Sequence, residues 1–104
     1  MKTSVKIKKA MMNKNYINII KLVLNSLNRY NGTDMIKVKY SNNKVYITKY
    51  FNNYTKRFIA EYYIYSHIIV VRDGSKIKDE INVLDFLQVL EQYERAKDAV
   101  KKFK

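Results

Sequence analysis

Apolar side chains recur along this chain with two different periods, and the change of period divides it into elements. Between about residues 14 and 30, Tyr16, Ile20, Val23, Leu27 and Tyr30 are spaced by four, three, four and three, with Ile17, Ile19 and Leu24 widening the row. That spacing draws one apolar stripe along a helix. Asn13 is placed to cap its start, and Asn31-Gly32 to stop it, because glycine accepts a left-handed conformation. Residues 4–8 (Ser-Val-Lys-Ile-Lys) alternate instead, which predicts a short edge strand or a flexible basic arm within residues 1–12.

The period then shortens to two. Met35–Tyr40 and Val45–Phe51 alternate and are rich in β-formers, and Ser41-Asn42-Asn43-Lys44 between them predicts a hairpin turn. Residues 56–72 are dense in aromatic and β-branched side chains and read as extended, with a bend or break near Ser66-His67 because seventeen residues is long for one strand. Asp73-Gly74 predicts a further tight turn into a short strand at about 75–78. From about 82 to 103 the helical period returns through Val83, Phe86, Leu87, Leu90, Tyr93, Ala96, Val100 and Phe103. Asn82 and Asp85 form a capping pair at its start, while Glu91 with Arg95 and Asp98 with Lys102 are spaced as i,i+4 ion pairs. The expected architecture is α+β: an N-terminal helix, a three- to four-stranded antiparallel β-meander, and a C-terminal helix packed on the sheet. Its 104 residues suit a single domain.

Read as one continuous strand, residues 57–71 place Phe58, Ala60, Tyr62, Ile64, Ile68 and Val70 on one face, and Ile59, Glu61, Tyr63, Tyr65, His67, Ile69 and Val71 on the other. In the first hairpin Ile36, Val38, Val45 and Ile47 oppose Lys37, Lys39, Tyr46, Thr48 and Tyr50. One sheet face would then gather Lys37, Lys39, Tyr46, Tyr50, Tyr63 and Tyr65. Flat rings beside ammonium groups suit single-stranded nucleic acid, whose bases stack while lysines follow the phosphates. Equally, a helix could cover this face and leave the tyrosine hydroxyls at the rim.

Charge sharpens this picture. Residues 1–60 hold thirteen Lys or Arg and one acid, Asp34, whereas residues 61–104 hold eight of each sign, so the whole net charge of +12 belongs to the front of the chain. Such a field favours polyanions. Lys, Ile, Asn and Tyr make up almost half the residues, and all have A/T-rich codons. This bias accounts for abundant lysine but not for the missing acids before residue 61. It also suits a phage or mobile-element source. Lys6, Lys8, Lys9, Lys14, Lys21 and Arg29 stand unopposed in the first 33 residues, and Arg57 adds a later cation. With Asn18, Asn25 and Asn28 on the polar side of the first helix, these groups can meet phosphates.

Enzymatic chemistry finds little support. There is one histidine, His67, and no cysteine, so neither a histidine cluster nor a thiolate metal site can be assembled. The two glycines stand apart, which removes a phosphate loop, and the carboxylates read as helix caps and a solvated helical face. No metal or cofactor is expected. The reading is a small basic, non-enzymatic, cytoplasmic protein that binds nucleic acid, single strands preferred, or a nucleoprotein complex. The alternative is an inhibitor of phage type docking directly on a host protein machine. Neutralising about five phosphates would cost roughly 10²- to 10³-fold in affinity between 50 and 200 mM salt. No run approaches about 18 apolar residues, so no membrane span is expected, and a peripheral membrane partner is disfavoured because no amphipathic helix joins a lysine face to bulky apolar insertion residues. A homodimer through the C-terminal helix is expected if its stripe exceeds what one small sheet can cover.

Overall fold

The computed structural model describes residues 1–27, 35–50, 57–73 and 75–102. Three helices and five strands follow in the order α1 (Thr3–Met12), α2 (Tyr16–Leu27), β1 (Met35–Tyr40), β2 (Lys44–Tyr50), β3 (Arg57–Tyr63), β4 (Ile68–Asp73), β5 (Lys76–Asn82) and α3 (Val83–Lys102). The strands form one antiparallel meander, β1-β2-β3-β4-β5. The fold is α+β with helices at both ends, as the periodicity implies, but it has a second N-terminal helix and five strands.

Residues 4–8 are neither strand nor arm; they belong to α1. Ser4, Ile7 and Ala10 are its buried residues, a helical row with Met11 half-buried beside it. The N-terminus of α1 lacks a side-chain cap of its own. Glu94 of α3 supplies one, accepting the Ser4 backbone N–H at 3.2 Å and its hydroxyl at 2.5 Å. A carboxylate there meets both an orphan donor and the positive end of the helix dipole. At the other end, the Asn15 N–H donates to the Ala10 carbonyl and the Lys14 N–H to that of Met11. This is the Schellman pattern, with Lys14 rather than glycine at φ 54°. Asn15, not Asn13, then caps α2: its Oδ1 accepts the Asn18 N–H at 3.2 Å.

The extended stretch that reads as one bent strand reverses completely. Residues 64–67 form a turn, so Tyr62 pairs with Ile69 and Ala60 with Val71. Cross-strand partners share a face. Ile69 and Val71 therefore join Ala60 and Tyr62, while Val70 lies opposite Glu61 on the other side. The expected face assignment of β4 is thus inverted, and Tyr65 leaves the sheet for the turn. The last strand is also longer than the expected 75–78, because pairing with β4 carries it to Asn82 through an irregular register at Val71/Arg72. Asn82 Oδ1 accepts the Leu84 and Asp85 N–H groups and starts α3 as anticipated.

The core lies on one side of the sheet. Ile7 and Ala10 of α1, Ile19, Ile20, Val23 and Leu24 of α2, and Val83 and Leu87 of α3 meet Val45, Ala60, Tyr62, Ile69 and Val71. Tyr62 is fully buried there. Among the described residues, no helix is long and apolar enough to cross a membrane.

Candidate nucleic-acid interface

A helix turns about 100° per residue, so α1 sends its lysines in two directions. Ser4 and Lys8, four apart, share the flank beside α3, where Lys8 pairs with Glu91 and Ser4 meets Glu94. Lys2, just ahead of the helix, pairs with Asp98. Rising numbers on α1 meet falling numbers on α3, so the two helices run antiparallel. The lysines hold both acids below their ordinary pKa values: Lys8 depresses Glu91, and Lys2 depresses Asp98. Asp98 is thus engaged across the fold, while Glu91 keeps Arg95 as an i,i+4 partner at 3.8 Å. The back of the chain does not simply pair with itself. It draws two cations from the front.

Lys6 and Lys9, three apart, lie on the opposite flank. They line a groove of about 390 Å³ between α1 and α2 with Asn13, Asn15, Asn18 and Leu22. Lys14 and Lys21 are exposed on the same helical hairpin, as is Asn25. Lys6, Lys9, Lys14 and Lys21 have no acidic partner among the described residues, and residues 1–27 contain no acid at all. This surface offers four ammonium groups and several amide donors, and nothing repels an anion.

The open face of the sheet has a different character. Glu61 is buried at its centre, accepting Arg72 Nε at 2.5 Å and the Tyr63 hydroxyl at 3.1 Å, with Lys44 Nζ 3.6 Å away. Lys44 Nζ stands 5.0 Å from the Tyr63 ring centroid and 5.4 Å from that of Tyr46. The Tyr46 hydroxyl chiefly raises the Lys44 pKa, desolvation opposes the rise, and Tyr63 adds to it. Glu61 likewise raises that of Arg72. A base stacking on either ring would first displace this ammonium, giving up an attraction of the same kind that stacking returns. The central carboxylate also lowers the appeal of this face to phosphate.

The residues singled out from the sequence therefore separate. Lys6, Lys9, Lys14 and Lys21 share the helical side; Lys8 faces α3. Lys39 is exposed on β1, Tyr46 and Tyr63 are half-buried beside Lys44, and Tyr65 is exposed in the 64–67 turn. Arg29 lies outside the described residues, as do the side chains of Lys37, Tyr50 and Arg57, which are known here only as strand positions. Sequence reasoning missed Lys44, Glu61 and Arg72. The signal for them was register: Glu61 stands opposite both Tyr46 and Val70. His67, read as a sheet residue, instead ends the turn at φ 54°, with its Nδ1 2.6 Å from the Tyr62 hydroxyl.

Comparison with protein-family models, with curated proteins and with solved structures yields no match to this chain.

Proposed function

We propose that this protein is a non-enzymatic binding protein that engages nucleic acid, free or within a nucleoprotein complex, through phosphate contacts on the acid-free side of the α1–α2 hairpin. The observation that carries this reading is the amide-lined groove that Lys6 and Lys9 border, with Lys14 and Lys21 exposed on the same hairpin and none of the four paired to an acid among the described residues. Lys14 supports it independently. It occupies a left-handed position where glycine is the unstrained choice, and its side chain adds a cation to that surface. Contacts of this kind go to the backbone, so binding is sequence-tolerant.

The magnitude follows from the count. Four neutralised phosphates lower affinity roughly 50-fold for single strands and 150-fold for duplex between 50 and 200 mM salt. Fluorescence anisotropy with labelled oligonucleotides measures that slope. Lys6→Ala with Lys9→Ala should halve it, while Lys2→Ala with Lys8→Ala should leave it unchanged. Absence of binding at 50 mM salt overturns the proposal and turns attention to direct docking on a host protein. An unaltered slope in the Lys6/Lys9 variant overturns the assigned surface.

A further inference from the structure

The groove between α1 and α2 is graded along its length. Residues 13–15 are all that connect the helices, so α2 runs back along α1 as a hairpin. At the closed end stand Asn13, Asn15 and Asn18. Further along, Ala10 is buried and Leu22 half-buried, which gives a short apolar wall, and Lys6 and Lys9 are exposed on the α1 side.

The fold leaves most of these amides unspent. The side chains of Asn13 and Asn18 make no hydrogen bond among the described residues, and Asn15 commits only its Oδ1, to the Asn18 N–H. A carboxamide carries a donor and an acceptor side by side, the combination that matches the edge of a nucleobase. The volume of about 390 Å³ falls in the range of sites that hold a small organic group.

Phosphate contacts alone would use none of this. Lysines by themselves favour a duplex, because it carries the denser charge. In a duplex, however, the base edges are paired and the rings stacked, so no base is free to enter a groove between two helices. An unpaired base is.

We propose that the α1–α2 groove seats one unpaired nucleobase, with its ring against Ala10 and Leu22, its edge on the Asn13 and Asn18 amides, and its phosphate at Lys6 or Lys9. The inference rests on the nucleic-acid reading above and adds what makes a single strand the preferred form. A carboxamide can turn either its oxygen or its nitrogen toward the base, so the seat rewards an unpaired base without fixing which one.

The test is competition against a labelled single strand, read by fluorescence anisotropy at about 50 mM salt. The competitors are an unstructured strand of about 20 nucleotides, its duplex with the complement, and an abasic strand of the same length and charge. The base-bearing strand should bind more tightly than the duplex, and at least about fivefold more tightly than the abasic strand. Asn18→Ala should cut that advantage at least about threefold while leaving the salt slope and the far-UV circular dichroism unchanged. Asn25→Ala, exposed on the same helix outside the groove, should change nothing. An abasic strand or a duplex that competes as well as the base-bearing strand overturns the seat and leaves the phosphate contacts standing. Equal behaviour of the Asn18 and Asn25 variants overturns its assignment to the groove. If none of the three binds, the nucleic-acid reading falls and the seat falls with it.

Discussion

Replacing Tyr62 with phenylalanine should make the mutant less stable than the parent near neutral pH and at least as stable in alkali. Tyr62 is fully buried, with its ring 5.0 Å from Tyr16 and its hydroxyl 2.6 Å from His67 Nδ1. Desolvation, with a smaller contribution from Tyr16, pushes its pKa from 10.0 up to about 12. The phenol is therefore protonated and shares a hydrogen bond with His67 Nδ1. Tyr62→Phe leaves Nδ1 without that partner. Because His67 is half-exposed, water recovers part of the loss, and the cost near pH 8 is about 1 kcal/mol. The alkaline limb runs the other way. A folded pKa above the unfolded one means stability that is complete below about pH 10 and lost as pH rises toward about 12, amounting to about 1.4 kcal/mol at pH 11. Phenylalanine has no proton to lose. The two stability curves should therefore cross near pH 11. Urea denaturation followed by far-UV circular dichroism at several pH values gives both curves, and lysine titration cancels in their difference. Parallel curves, with a constant gap from about pH 8 to about pH 11, would refute the assignment of a buried, hydrogen-bonded phenol.

Two further outcomes test the packing. Ile7→Ala should cost about 2–5 kcal/mol in urea unfolding, and Val5→Ala, two residues away but 45% exposed, less than about 0.5 kcal/mol; equal effects would rule out α1 as a core element. Lys2→Ala with Lys8→Ala should flatten the loss of stability on acidification below about pH 5, because the depressed pKa values of Glu91 and Asp98 stabilise the fold above that range and cease to do so as the acids protonate. Unchanged acid sensitivity in a urea series at falling pH would mean that the α1–α3 pairs contribute nothing.

Periodicity alone determined α2 and α3, because each buries a stripe that its own spacing defines, and alternation was enough to mark β1 and β2 as paired strands. Turn chemistry was equally local: Asn42-Asn43 and the Asn82 cap act within a few residues. What escaped the sequence was set by partners far along the chain. The N-terminus of α1 takes its cap from Glu94, ninety residues away, so nothing beside Ser4 announces a helix. The row Ile7, Ala10 and Met11 was its only local trace. The faces of β3 and β4 depended on a four-residue reversal at 64–67, and a shift of one residue in register moves every side chain to the opposite side. The fate of the lysines was decided last. Composition placed the positive charge at the front of the chain, but only the antiparallel packing of α1 on α3 chose Lys2 and Lys8 for ion pairs and left Lys6 and Lys9 facing the groove. Spacing along one helix divides residues between flanks, whereas a neighbour's position gives each flank its chemistry.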